Sequence, residues 1–332
     1  MAKPRVAVIG TGGTISSIGR DTLDLANYVE TGQKYEPAEL LARWPEVARF
    51  AELVPIPYSA VGSMRIGPTD WLALNEAVHK AVSDEPDLAG VVITHGTSTL
   101  EETAYFLHLT AKVEVPVVVI GAQRPATGLS TDAALNLVNA VRLAGSTEAR
   151  GLGVLVPLND EIQCAREVTK TSTFRLQTFR SPDFGVLGHA DVDGIAIYRK
   201  PVRRHTQETE FDVRGLTELP RVDILYSYAG SDGAAVDAFL AAGAKGIVSA
   251  SLAPGYCTPG EVEALDRAVD SGVVVAQSTR VDSGRLVPTN YGRAKGCVLA
   301  DNLNPQKARV LLMLALTQTT DPAEIQRMFA TY

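Results

Sequence analysis

The strongest constraint in this sequence is the alternation of short β-branched runs with longer stretches of helical character. Val6–Ile9, Val91–Thr94, Val117–Ile120, Val154–Val156, Ile224–Tyr226, Ile247–Ser249 and Val273–Ala276 are short, largely apolar runs, all but Ile224–Tyr226 with glycine or proline on at least one side. Runs of that kind read as strands buried on both faces, as in parallel sheets. Helix starts lie between and beyond them. Thr258-Pro259-Gly260-Glu261 offers an N-cap, a first-turn proline and a capping-box glutamate, and Asp321-Pro322-Ala323-Glu324 repeats the arrangement. Strand and helix in alternation predict an α/β fold with mainly parallel sheets covered by helices. The pattern lapses over residues 199–220, where the basic run Arg199-Lys200-Pro201-Val202-Arg203-Arg204-His205 precedes a polar stretch without periodicity. That segment is expected to be a linker with a solvated basic face, separating domains at 1–198 and 221–332. The length of 332 residues suits two domains.

Charge narrows the function. Lys plus Arg number 31 against 38 Asp plus Glu, a net charge of -7, which disfavours nucleic acid or an anionic membrane as partner. Cys164, Cys257 and Cys297 are far apart with no C-x-x-C, so neither a zinc site nor a disulfide framework is expected. Only Val6-Ala7-Val8-Ile9 precede Gly10 as an apolar run, too short for an export signal, and no run approaches the roughly 18 residues of a spanning helix. A cytoplasmic location is the expectation.

Two loops and one lysine carry candidate chemistry. The first strand ends in Gly10-Thr11-Gly12-Gly13-Thr14-Ile15, where an open α/β sheet places its ligand. Ile15 stands where a dinucleotide fingerprint needs glycine, which counts against a nicotinamide-dependent reductase, and no Walker lysine follows. Thr14 is either a nucleophile or a turn hydroxyl bonding the backbone. The second loop, Thr94-His95-Gly96-Thr97-Ser98-Thr99-Leu100-Glu101-Glu102, follows another buried strand. Thr99 with Glu102 reads as a capping box, and capping accounts for both glutamates, while Thr97 and Ser98 fall at the helix N-terminus, which favours negative charge. Lys170 is either a surface charge or, if buried beside hydroxyls, a general base with a lowered pKa.

These blocks carry a resemblance. Thr11-Gly12-Gly13-Thr14-Ile15, Thr94-His95-Gly96-Thr97 before Glu101-Glu102-Thr103-Ala104-Tyr105-Phe106, Gly121-Ala122-Gln123-Arg124-Pro125, Val168-Thr169-Lys170-Thr171 and Leu303-Asn304-Pro305-Gln306-Lys307-Ala308-Arg309 resemble, in order, the signature blocks of bacterial L-asparaginases and glutaminase-asparaginases. The resemblance implies a larger N-terminal domain, whose mainly parallel sheet has helices on both faces, and a smaller C-terminal α/β domain. It further implies a homotetramer of tight dimers with sites near the dimer interface. The implied activity is hydrolysis of the side-chain amide of L-asparagine, or a close analogue, to acid and ammonia. Thr14 would be the nucleophile and Tyr28 its assistant, with Thr97 and Lys170 as a second hydroxyl and base. Gly62 and Ser63 would hold the substrate carboxylate, beside Met64 and Ser98. An acyl-enzyme route of this kind needs no metal or organic cofactor.

The chain departs from the family where the substrate ammonium would be received. Ser98 stands where the family has aspartate, Met64 and Arg65 where it has glutamine and aspartate, and no acid occurs between Asp282 and Asp301. A buried ammonium without its partner forfeits roughly 1.5–3 kcal/mol per hydrogen bond, so these departures point to a carboxamide lacking a free α-ammonium as the alternative substrate. Arg65 is either solvent-exposed or a receptor for an added carboxylate. A non-catalytic ligand sensor on the same fold is the alternative from another class.

Overall fold

A computed structural model describes residues 2–332, which form two compact units, the first ending at Arg214 and the second running Gly215–Tyr332. The first unit is built on an eight-stranded sheet. Its strands are β1 (Arg5–Gly12), β2 (Glu52–Val61), β3 (Leu88–Thr94), β4 (Val117–Ile120), β5 (Val154–Leu158) and β6 (Glu161–Cys164), with β9 (Gly188–Ala190) and β10 (Ile195–Ile197). The short pair β7 (Thr169–Lys170) and β8 (Phe179–Arg180) forms an antiparallel ribbon apart from that sheet. In space the order is β10-β9-β6-β5-β4-β3-β1-β2, parallel from β5 to β2 and antiparallel from β5 to β10.

Helices α1 (Pro37–Arg43), α2 (Pro68–Asp84), α3 (Leu100–Thr110) and α4 (Ala133–Ala144) surround this sheet. Val6, Val8, Val92 and Val118 join Leu137, Ala140 and Val141 of α4 in one buried cluster. Side chains alternate along a strand, so the equally buried Ala7, Ile9, Val91 and Ile93 fill the opposite face. There α3 lies against β4 and β5, and Trp71 of α2 stacks on Phe106 with ring centroids 5.5 Å apart. Burial on both faces explains why β1, β3, β4 and β5 read as unbroken apolar runs. β2 escapes such a reading because it holds Pro55 and Pro57. Proline is tolerated there because β2 is an edge strand, with one side of its backbone free of ladder bonds.

The second unit has a four-stranded parallel sheet of β11 (Val222–Tyr226), β12 (Gly246–Ser251), β13 (Val274–Thr279) and β14 (Val298–Leu299), in that order. Helices α5 (Ala234–Ala241), α6 (Pro259–Asp270), α7 (Pro305–Ala315) and α8 (Pro322–Thr331) accompany it. At the edge, β11 buries Val222 and Leu225 on opposite faces but exposes Tyr226 at its carboxyl end, so burial on both faces is only partial in this strand. The capping box opening α6 forms, with Thr258 Oγ1 accepting from Glu261 N and Glu261 Oε2 accepting from Thr258 N. At α8 only half of it does: Asp321 caps Ala323 N, while Glu324 turns to Arg327.

The basic run is only in part the solvated face expected of it: Lys200 and Arg204 are exposed, whereas Arg199 and His205 are engaged by the fold. Arg199 donates to the Val186 carbonyl at 2.9 Å and pairs with Glu167. His205 is buried with its ring 5.1 Å from that of His108. Lys112 Nζ donates to the carbonyls of Thr206 and Thr209 at 2.7 and 2.8 Å. Residues 199–213 thus pack as part of the first unit, because their backbone carbonyls satisfy a half-buried lysine and Phe211 is fully buried. Among the described residues no helix is long and apolar enough to cross a membrane.

Candidate active site

The chain leaves β1 for β2 on one side and β3 for β4 on the other. The crevice between the carboxyl ends of β1 and β3 is therefore the topological switch point, where open α/β sheets bind ligands. Small residues let the loops converge there. Gly13, at φ 80°, packs so closely that an added Cβ would sit 2.3 Å from the Gly96 nitrogen, and one on Gly96 would sit 2.7 Å from Ser63 Oγ. Gly13 N donates to the Val61 carbonyl at 3.0 Å, and a Cβ on Gly121 would meet Thr97 Cγ2 at 2.8 Å. The ends of four strands, β1 to β4, meet in this way.

Two hydrogen-bonded pairs meet at the converged loops. Thr14 Oγ1 lies 2.8 Å from the Tyr28 hydroxyl. Tyr28 returns to Thr14 on a loop closed at its base by the Ser17–Lys34 bridge and by Ile18 N donating to the Gln33 carbonyl. Inside that loop Thr31 Oγ1 donates to the carbonyls of Ile18 and Tyr28. In the second pair Lys170 Nζ donates to Thr97 Oγ1 at 2.7 Å and to Gln123 Oε1 at 3.4 Å. Burial pushes the Lys170 ammonium below the usual lysine range, and the nearby Glu101 carboxylate opposes that fall. A partly desolvated lysine on a hydroxyl can serve as a base, and a hydroxyl paired with a phenol can serve as a nucleophile.

Behind the pairs lies a buried polar chain. Trp71 Nε1 donates to Thr103 Oγ1, Thr103 Oγ1 bonds His95 Nε2 at 3.0 Å, and His95 Nδ1 bonds the Gly96 carbonyl at 2.8 Å. A carbonyl only accepts, so His95 carries its proton on Nδ1 and accepts a hydrogen bond from the Thr103 hydroxyl at Nε2. Burial pushes this imidazole down to about 4, keeping it neutral. The loop after β4 is held by Asp132, which accepts from the backbone N–H groups of Gln123 and Arg124 at 2.9 Å.

Thr14, Tyr28, Thr97, Gly62 and Ser63 thus fall on the converged loops, with Ser63 buried, and Lys170 reaches Thr97 from the β7–β8 ribbon. Met64, at 74% exposure, and Arg65 and Ser98, also exposed, follow Ser63 and Thr97 in the same loops. The capping box expected of Thr99 and Glu102 is absent. Thr99 makes no side-chain cap and instead donates its hydroxyl to the Ser63 carbonyl at 2.9 Å, because the loop after β2 approaches closely enough to compete. Glu101 is not a solvent-side capping group either, being buried with Oε1 accepting from Lys170 N at 3.4 Å. Sequence reasoning gave no site role to His95, Glu101 or Gln123. Their partners are other loops of the fold, and only the polarity of His95 and Gln123 beside buried runs hinted at them.

A family model described as Asparaginase, N-terminal, matches residues 5–203, and one described as Glutaminase/Asparaginase C-terminal domain matches residues 221–329. The chain is 42% identical over 330 residues to an L-asparaginase 2 of Bacillus subtilis (strain 168), covering 99% of this chain and 87% of that protein. It is 41% identical over 331 residues to a glutaminase-asparaginase of Pseudomonas fluorescens biotype A, covering 98% and 90%. The crystal structure of a probable cytoplasmic L-asparaginase from Campylobacter jejuni is similar with a TM-score of 0.94 and 40% identity, covering 99% of this chain and 100% of that one.

Proposed function

The chain belongs to the asparaginase family of amide hydrolases, and from that premise we propose that it cleaves the side-chain amide of L-asparagine to acid and ammonia through a threonine nucleophile. The observation that carries this reading is the presence of two separate hydroxyl pairs, Thr14 with Tyr28 and Thr97 with Lys170, at one switch point. Thr14 Oγ1 attacks the amide carbon while the Tyr28 hydroxyl relays the Thr14 proton to the amide nitrogen, and the C–N bond of the tetrahedral adduct breaks to release ammonia and leave the acyl-enzyme. Water then hydrolyses the acyl-enzyme, with Lys170 acting through Thr97 as the base. Burial lowers the proton affinity of Lys170, which makes its neutral amine easier to form than that of a solvated lysine. Gly62 and Ser63 receive the substrate carboxylate, and Met64 and Ser98 stand beside the α-substituent.

Ammonia release from L-asparagine, L-glutamine, D-asparagine, succinamate and N-acylated asparagine tests the reading, with Thr14→Ala as control. Loss of turnover on the order of 10³-fold or more is expected for Thr14→Ala. Equal rates for wild type and Thr14→Ala on every amide would overturn the nucleophile. The exposed, uncharged Met64 and Ser98 favour a second reading, an amide without a free α-ammonium, and faster hydrolysis of succinamate or N-acylated asparagine than of asparagine would establish it. Thermal stabilisation by these ligands without ammonia would instead make the protein a sensor. A homotetramer of dimers and a cytoplasmic location complete the proposal. Light scattering that reports a mass other than four chains would revise the assembly.

A further inference from the structure

Lys170 stands on a ribbon of two short strands outside the main sheet, so something must hold it against Thr97. One tether comes from β6, where Gln163 Nε2 donates to the Phe179 carbonyl at 2.5 Å and Gln163 Oε1 accepts from Ser181 Oγ at 2.8 Å. That tether reaches the β8 side of the ribbon. The β7 side is met by Glu101, in the first turn of α3, whose Oε1 accepts the backbone N–H of Lys170 itself. Glu101 is only 6% exposed, and α3 continues directly from the loop that carries Thr97.

We propose that Glu101 is a positioning residue for the Thr97–Lys170 pair: its carboxylate docks the strand carrying the lysine onto the helix behind the threonine and supplies the buried negative charge that faces the lysine. The groups facing Lys170 are Thr97 from the loop after β3, Gln123 from the loop after β4 and Glu101 from α3. Of these only Glu101 is charged, and the adjacent Ser98 is neutral and exposed. The carboxylate favours the protonated lysine, whereas burial favours the neutral amine. Glu101 therefore sets the pH at which the base becomes available. This inference rests on the reading of Lys170 as that base.

Glu101→Gln separates charge from shape, since glutamine keeps an acceptor for the Lys170 N–H. Removing the negative charge lowers the proton affinity of Lys170, so the acid limb of the kcat–pH profile is expected to move about one pH unit lower, with KM held. Glu101→Asp restores the charge at shorter reach and brings the limb back toward wild type. If the glutamine variant does not fold, the aspartate variant carries the test, with lower kcat at unchanged KM as the expected result. Profiles that superimpose on wild type, or a limb that moves higher in Glu101→Gln, overturn the proposal. The lysine can also be titrated directly by 13C NMR after reductive methylation, using Lys170→Met to assign its signal. The same downward shift is expected without any turnover, so failure of the proposed hydrolysis leaves the role of Glu101 separately decidable.

Discussion

At the scale of single residues, the site depends on side chains whose protonation is set by burial. His95 is the clearest case, because its ring is enclosed and both nitrogens are engaged in the neutral form. Its pKa of about 4 in the folded state lies below the unfolded value of 6.5. The folded protein therefore resists a proton that the unfolded chain accepts, and stability is lost as pH falls from 6.5 toward 4. The total loss from this one group is about 3 kcal/mol. Urea unfolding at pH 7 and pH 4.5 checks it: the decline is expected to be smaller by about 2 kcal/mol in His95→Gln, which keeps an acceptor for Thr103 and does not titrate. An equal decline in both proteins would assign the acid sensitivity to other groups. Lys170 obeys the same physics with another consequence, since its depressed affinity makes a base available rather than only a stable fold.

At the scale of elements, the loops after β1, β2 and β3 are held together by the near absence of side chains where they cross. Gly13→Ala tests this directly. The substitution forces a side chain into a left-handed backbone conformation and places a Cβ 2.3 Å from the backbone of Gly96. Neither problem is relieved by a rotamer change, because the obstacle is backbone. Near-complete loss of ammonia release and a Tm lowered by several degrees are expected, equivalent to about 1–3 kcal/mol of strain. Wild-type activity in Gly13→Ala would mean that the two loops are free to separate. The converse case is the Thr99 hydroxyl, which gives up a helix cap to hold the Ser63 carbonyl, so a local helix-start rule yields to a contact between loops.

At the scale of the whole molecule, the chain passes from the first unit to the second at Arg214–Gly215. Phe211 and Val213 are still buried, whereas residues 214–218 are exposed and irregular. Limited trypsin digestion is expected to cut first after Arg214, giving fragments that begin at Gly215, as mass spectrometry would read. First cuts inside residues 5–203 would contradict that placement. Much of this architecture was legible in the sequence. The continuous apolar runs announced β1, β3, β4 and β5, and the glycine- and hydroxyl-rich loops after β1 and β3 marked where chemistry would gather. These features are local, since burial on both faces and tight turns are each written in a few neighbouring residues. Strand β2 was hidden by its prolines, the fate of Arg199 and His205 by partners across the fold, and the site positions of Glu101 and Gln123 by their distance in sequence from Lys170. By itself, then, the sequence determined which elements form and which loops bear hydroxyls. Only the tertiary structure decided which side chains meet, because contacts such as Glu101 with Lys170 join residues 69 positions apart and depend on how the sheet brings its strand ends together.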